Sequence, residues 1–245
     1  MVANRTKSRH WIQEGTALCA GELAALDEEA FGQPSALPGW TRKHIAAHLA
    51  ANADALGNLV TWAATGVESR MYASPEYRTI EIEAGATRSG ADLRDWFARA
   101  GAQLAERMDA LTPEQWRAKV ITLQGRGAPA SQVPWVRARE LLVHAVDLAT
   151  GVRFVDLPRD FLAALCDDVV VRRSATPGHP ALRIVAVDVD SGRWGIADHR
   201  PGVPASDAPT VSGSLAELTA YLTGRAHEGL VTADGTPPPA LPPWL

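Results

Sequence analysis

The chain has 245 residues, of which 46% are hydrophobic and 21% charged, enough apolar material for one large domain or two smaller ones. Its net charge of −4 and isoelectric point of about 6.0 argue against binding to nucleic acid or to an anionic membrane surface. The opening basic residues precede no apolar run, and no uncharged apolar stretch reaches a membrane span, so we expect neither a signal peptide nor a transmembrane helix.

Apolar residues at helical spacing predict a first helix over residues 5–30. Thr41 is the expected N-cap of a second helix that runs to about Ala64 and is ended by Gly66. Residues 67–87 are of mixed character and contain a proline, so we expect them to form a long connection.

The rest of the first 150 residues continues this helical pattern. The expected elements are a helix from Ser89 or Asp92 to Leu111, a helical turn at Thr112 and Pro113, a loop over residues 124–129, and a helix from Pro134 to Gly151. Four helices with one long crossover are typical of a bundle, and bundles build metal sites from side chains on facing helices.

After residue 152 the pattern changes to a mixture of helix and strand. The expected elements are a helix from Pro158 to about Arg173, a strand segment over Ala181–Asp190, a turn at Ser191 and Gly192, a returning strand over Arg193–Asp198, a strand over Thr210–Ser214, and a helix over Leu215–Thr223. A proline-rich tail follows. The predicted fold is therefore α+β, with a helical bundle over residues 1–152 and a smaller α/β domain over residues 153–245.

The two cysteines, Cys19 and Cys166, lie far apart in apolar segments and form no CxxC pair. We expect two buried, reduced thiols in a cytoplasmic protein and no cysteine metal cluster. A reaction that requires a thiol would then obtain it from a small molecule.

Two helices carry polar residues among apolar neighbours. Glu140 and His144 lie four residues apart on one face of the fourth helix, and His48 lies among alanine and leucine in the second. Two histidines and one carboxylate on facing helices are a ligand set of catalytic zinc, although iron or nickel would also suit it. The alternatives are a surface ion pair for Glu140 and His144, and a hydrogen-bonded core residue for His48. The HExxH motif of zinc proteases is absent.

The segments LPGWTRKHIAAHL, which ends at Leu49, and RELLVHAVD, which ends at Asp147, resemble the mycothiol-dependent maleylpyruvate isomerases of the DinB/YfiT-like thiol-transferase superfamily. The resemblance extends over nearly the whole chain. It implies a DinB-like four-helix bundle followed by an α/β domain, and zinc held by His48, Glu140 and His144.

The resemblance also implies the reaction, which is the isomerisation of maleylpyruvate to fumarylpyruvate in gentisate degradation, with mycothiol as cofactor. A thiolate adds to the cis double bond, the resulting single bond rotates, and the thiolate leaves. A free thiol has a pKa of about 8.5, so the metal would be needed to supply the thiolate. The dicarboxylate substrate requires cations, and the resemblance points to Arg78 and Arg225 as catalytic residues. At both positions the alternative is a solvated surface arginine.

Several neighbouring residues are expected to have supporting roles. His44 stands where the family has an aliphatic residue, so we expect an exposed or supporting position and not a ligand. Asp54 is either a carboxylate that orients a ligand or a solvated residue. Arg137 or Arg139 is expected to pair with a carboxylate such as Asp147.

Three functions fit these observations. They are the isomerase, a mycothiol S-transferase that acts on another electrophile, and a non-catalytic metal-bearing regulator of the anti-sigma type. The complete set of two histidines and one glutamate favours an enzyme, and the second domain favours the isomerase. We expect a cytoplasmic monomer whose partners are mycothiol and a small dicarboxylate.

Overall fold

The computed structural model describes residues 4–122, 125, 127–176, 178–197, 208–242 and 244. The chain divides into two compact units, one ending at Val152 and the other beginning at Arg153. The predicted α+β class is confirmed. Among the described residues, no helix combines the length and the hydrophobicity that crossing a membrane would require.

The first unit is a helical bundle with a small hairpin. Its elements are α1 (Arg5–Ala25), α2 (Glu28–Gly32), α3 (Arg42–Thr65), α4 (Pro75–Ala86), α5 (Gly90–Asp109), β1 (Lys119–Ile121), β2 (Gly127–Pro129) and α6 (Val133–Asp147). Helix α3 packs against α4, α5 and α6, while α1 packs against α5 and α6. Helix α3 is therefore the central element of the bundle.

The prediction of one continuous helix over residues 5–30 is wrong, because two helices occupy this segment. Helix α1 ends at Ala25, and Leu26 adopts an extended conformation. Asp27 then caps a new helix, α2, because its carboxylate accepts a hydrogen bond from the Ala30 N–H at 2.8 Å.

The expected long connection over residues 67–87 is also wrong, because it contains helix α4. The Ser74 hydroxyl accepts a hydrogen bond from the Tyr77 N–H at 3.2 Å and caps the helix. Pro75 occupies the first helical position, where the missing N–H breaks no hydrogen bond. Ser74 and Pro75 therefore start a helix here instead of marking a loop.

Two smaller corrections concern the last helix of the bundle and the segment before it. Within residues 124–129, Gly127–Pro129 forms strand β2, which pairs with β1 in antiparallel fashion, while Gln124 and Arg126 lie outside the described residues. Helix α6 ends at Asp147 and not at Gly151, and Ala149 leaves the helical region with φ of 54°.

Small residues allow the helices of the bundle to approach closely. Helix α3 buries seven alanines along its length, namely Ala46, Ala47, Ala50, Ala51, Ala53, Ala55 and Ala63. Gly15 of α1 lies directly against α6, where an added Cβ would come within 2.9 Å of the Leu141 Cβ. Side chains larger than these would separate the helices that carry the polar residues singled out above.

The second unit packs two helices with a four-stranded sheet. Its elements are α7 (Arg159–Ser174), β3 (Leu182–Ala186), β4 (Arg193–Ile196), β5 (Thr210–Gly213), α8 (Leu215–Leu222) and β6 (Val231–Thr232). The strand order is β4-β3-β5-β6, with β3 and β5 parallel and the other pairs antiparallel. The sequence predicted these elements except β6, and Asp198, the expected end of the returning strand, lies outside the described residues.

We predict that Gly15→Ala destabilises the first unit by about 1–3 kcal/mol, because the new methyl group would overlap Leu141 in a packed interface. Gly21→Ala on the same helix is the matched control, since nothing lies within 4 Å of its added Cβ. That control should gain up to about 1 kcal/mol from helix propensity. Urea unfolding of both variants measures the difference, and equal stabilities would contradict close packing of α1 on α6.

Candidate metal centre

The start of helix α3 is fixed to the end of helix α6. The Arg42 guanidinium donates hydrogen bonds to the carbonyls of Leu148 at 2.9 Å and Ala149 at 2.8 Å. The Ala36 N–H donates to the Asp147 carbonyl at 2.8 Å. These bonds satisfy carbonyls that the end of α6 leaves without helical partners. They also fix the register in which the two helices face each other.

Within this register, the two predicted histidine ligands converge on one carboxylate oxygen of the third predicted ligand, Glu140. The Nε2 atom of His48 lies 3.0 Å from Oε2 of Glu140, and Nε2 of His144 lies 3.4 Å from the same oxygen. One ligand atom from each of these residues lies within 4.8 Å of the others. His48 is only 2% exposed, and Glu140 and His144 are partly buried, so the cluster is not an exposed ion pair on the surface of the bundle.

Asp147 orients His144, a contact that the sequence analysis did not predict. The Nδ1–H of His144 donates to Oδ2 of Asp147 at 2.8 Å, and Asp147 is completely buried. This bond places the proton on Nδ1 when the ring is neutral, so Nε2 presents its lone pair toward Glu140. The spacing of three residues on one helix was visible in the sequence, but it was assigned to pairing with arginine.

Arg78 approaches the centre from helix α4. Its Nη2 donates to Nδ1 of His48 at 3.3 Å, because a guanidinium has no acceptor. Nε2 of His48 therefore carries the proton and donates to Glu140 in this arrangement. Of the two predicted catalytic arginines, Arg78 is thus brought next to the predicted ligands.

The three groups have shifted pKa values with different causes. Burial lowers the pKa of His48 to about 4, so its ring is neutral at neutral pH. Burial alone would raise the pKa of Glu140, but hydrogen bonds from His144 and His48 outweigh it and hold that pKa well below its usual range. Burial likewise opposes protonation of His144, yet its bonds to Asp147 and Glu140 raise its pKa.

These groups fit a divalent cation. An ionised carboxylate faces two imidazole nitrogens, and the electrostatic environment favours positive charge on His144. A metal ion at this point would replace the proton of His144 and would receive three ligand atoms from the protein. Two neutral imidazoles and one carboxylate would leave a net charge of about +1 with a dipositive ion, which favours an anionic additional ligand.

The other residues near the predicted ligands have structural partners. Nδ1 of His44 accepts from the Thr41 N–H at 3.1 Å, in keeping with its exclusion as a ligand. The Asp54 carboxylate accepts a hydrogen bond from the Trp96 indole N–H at 2.8 Å. It is therefore not a carboxylate that orients a ligand histidine. The Arg137 guanidinium is buried and donates to the Leu49 carbonyl at 2.7 Å. The carboxylate pair expected of one of the two arginines is formed by Arg139, whose Nη2 lies 3.6 Å from Oε1 of Glu140.

Arg225 and the two cysteines are the remaining residues for which the sequence supplied an expectation. Arg225 belongs to the second unit, where it is half-buried beside Thr223 and Trp244. Cys19 and Cys166 are both buried and in no disulfide, as expected, and burial raises the pKa of each thiol to about 12. Neither cysteine is therefore suited to act as a nucleophile.

One family model and two solved structures match this chain. The family model described as the mycothiol maleylpyruvate isomerase N-terminal domain matches residues 12–149. A crystal structure of the mycothiol-dependent maleylpyruvate isomerase is 34% identical with a TM-score of 0.89, covering 99% of this chain and 98% of that one. A structure of a histidine-to-alanine mutant of that isomerase is 33% identical with a TM-score of 0.88 and the same coverage. The search of curated proteins gave no match.

We predict that Asp147→Asn lowers the affinity for zinc by about 10–100-fold, because the amide holds the His144 tautomer less well than the carboxylate does. Asp54→Asn is the matched control, since Asp54 bonds to Trp96 and not to a candidate ligand. Competition with a chromophoric chelator measures both affinities. Equal zinc affinity in the Asp147→Asn variant and the unmutated protein would remove Asp147 from the centre.

The affinity for metal should also depend on pH, with a slope that corresponds to the release of one proton for each metal ion bound. Below the raised pKa of His144, one proton must leave for each metal bound, so the apparent affinity should fall about tenfold per pH unit. His48 adds no second proton until the pH approaches about 4, where its lowered pKa lies. Chelator competition between about pH 5 and pH 8 measures the slope, and a pH-independent affinity would exclude His144 as a ligand.

Proposed function

Because this chain belongs to the mycothiol-dependent maleylpyruvate isomerase family, we propose that it isomerises maleylpyruvate to fumarylpyruvate with mycothiol as the thiol cofactor. The observation that carries the proposal is the convergence of His48 and His144 on the Glu140 carboxylate, within the segment that matches the family model. The agreement with an isomerase over 99% of the chain includes the second unit, which favours an isomerase over a transferase consisting of a bundle alone.

In this proposal, His48, Glu140 and His144 hold a divalent metal, for which zinc is the first choice. When bound, the metal supplies a Lewis acid that lowers the pKa of a coordinated thiol and so makes thiolate available at neutral pH. Iron or nickel would accept the same ligand atoms. Metal analysis of the purified protein decides among the three.

The protein's own groups provide position and charge. Asp147 holds His144 in the tautomer that presents Nε2, and Arg42 holds α3 against the end of α6. Arg78 contributes positive charge next to His48. Maleylpyruvate carries two carboxylates, and negative charge moves onto its carbonyl oxygen while the double bond loses its character. We assign Arg78 to bind these anionic oxygens, because a guanidinium fork matches a carboxylate. The catalytic role of Arg225 stays a prediction.

The direct test mixes the zinc-loaded protein with mycothiol and maleylpyruvate and follows formation of fumarylpyruvate by absorbance. We expect turnover that requires both mycothiol and metal. Arg78→Ala should lower kcat/KM by about 10²–10³-fold, as loss of a charge-stabilising donor does. Arg70→Ala is the matched control, because the Arg70 side chain is exposed and its described partner is the exposed Glu68.

Different outcomes point to different functions. Conjugation of mycothiol to a generic electrophile without isomerisation of maleylpyruvate would favour an S-transferase. Absence of both reactions in a protein shown to contain stoichiometric metal would favour a non-catalytic role. Full activity of the Arg78→Ala variant would leave the isomerase in place and remove Arg78 from its mechanism.

A further inference from the structure

The segment between α3 and α4 carries a buried tyrosine, Tyr72, which is only 8% exposed. The chain just before it is fixed to the bundle, because Nδ2 of Asn58 on α3 donates to the carbonyls of the two preceding residues, at 3.3 and 3.4 Å. Two residues after it, Ser74 caps α4. Tyr72 is therefore held between an attachment to α3 and the start of the helix that carries Arg78.

The hydroxyl group of Tyr72 is buried and has no hydrogen-bond partner among the described residues. A buried phenol normally forms a hydrogen bond, because leaving water without one costs free energy. The folded protein therefore bears a cost at this position that a bound group with an acceptor oxygen would remove.

This phenol lies beside the candidate metal centre. Burial raises the pKa of Tyr72 to about 12, although the positive charge of Arg78 close by lowers it, and the Glu140 carboxylate adds to the rise. Arg78 in turn donates to Nδ1 of His48 at 3.3 Å. The hydroxyl thus has the Arg78 guanidinium and the predicted ligands as neighbours, and it keeps its proton at neutral pH.

The proposed reaction needs a hydrogen-bond donor at one particular oxygen. When a thiolate adds to a double bond that is conjugated with a carbonyl group, a C–S bond forms and the π electrons move onto the carbonyl oxygen. That oxygen stays anionic until the electrons return, restore the double bond and expel the thiolate. A donor that is fixed in advance in a buried site stabilises this charge as it develops. The donor keeps its proton throughout.

We infer that Tyr72 is a further catalytic residue, whose hydroxyl donates a hydrogen bond to the carbonyl oxygen of the substrate as that oxygen becomes negative. The inference rests on the proposed function, in which thiol addition produces this charge. Arg78 supplies positive charge to the same region, whereas Tyr72 supplies a neutral donor. The hydroxyl that has no described partner in the free protein is then the donor that the reaction uses.

The first test is Tyr72→Phe, which removes the hydroxyl and keeps the ring. We expect kcat for isomerisation to fall about 10²-fold, the loss typical of one such donor. The KM for maleylpyruvate and the metal content should stay unchanged, because the charge appears only as the C–S bond forms. Tyr77→Phe is the matched control, since Tyr77 is 52% exposed on the neighbouring helix α4. An unchanged kcat in Tyr72→Phe overturns the inference.

The stability of the same variant separates a catalytic role from a structural one. A buried hydroxyl without a partner opposes folding, so Tyr72→Phe should unfold at the same urea concentration as the unmutated protein or at a higher one. A lower unfolding midpoint would mean that the hydroxyl supports the fold, and it would overturn the inference.

Two simple electrophiles separate this inference from the proposed function. Conjugation of mycothiol to methyl vinyl ketone passes through an anionic carbonyl oxygen, which then takes a proton from water. Conjugation to iodoacetamide releases iodide and forms no such anion. We expect Tyr72→Phe to slow the first conjugation and to leave the second unchanged.

The outcomes distinguish the two claims. If maleylpyruvate is not isomerised but this difference between the electrophiles appears, the proposed function fails and the role of Tyr72 stands. If isomerisation occurs and Tyr72→Phe slows both conjugations equally, the role of Tyr72 fails and the proposed function stands. Absence of all three reactions in the metal-loaded protein overturns both.

Discussion

The negative charge of Glu140 is the constraint on which the first unit depends. An ionised carboxylate loses hydration when it enters a bundle, and the loss must be offset by donors and positive charge. His48 and His144 direct nitrogens at one oxygen of Glu140, and Arg139 lies 3.6 Å from the other. These groups come from two helices whose register is fixed where Arg42 meets the end of α6. The bundle therefore places an ionised carboxylate and two imidazole nitrogens at one point, and this arrangement favours a cation there.

Glu140, His144 and His48 were candidates because they are polar residues in apolar helices, and the resemblance to a known family joined them into one set of ligands. Their role as ligands stays a prediction. The contact between His144 and Asp147 was missed, since spacing alone does not decide whether a carboxylate pairs with a histidine or with a nearby arginine. Arg78 could be named from resemblance, but its approach to His48 depends on the path of α4, which spacing in one sequence does not give.

The errors in the predicted helices share a physical origin. Ser74 and Pro75 occur both in loops and at the first turn of helices, and the choice depends on whether the following residues can pack. Asp27 similarly ends one helical pattern and starts another without a glycine or proline to mark the break. Long, strongly periodic segments such as α3 and α5 were predicted well, because burial of one face determines them.

The alanines of helix α3 have a consequence for the free energy of folding. An alanine has no side-chain rotamers to lose, whereas a buried leucine or isoleucine loses roughly 0.5–1 kcal/mol of rotamer entropy. Seven buried alanines therefore spare the bundle an entropic cost on the order of 5 kcal/mol relative to larger aliphatic residues. The central helix, which carries His48, is therefore packed into the bundle at a lower cost in side-chain entropy than a helix with larger aliphatic residues at these seven positions.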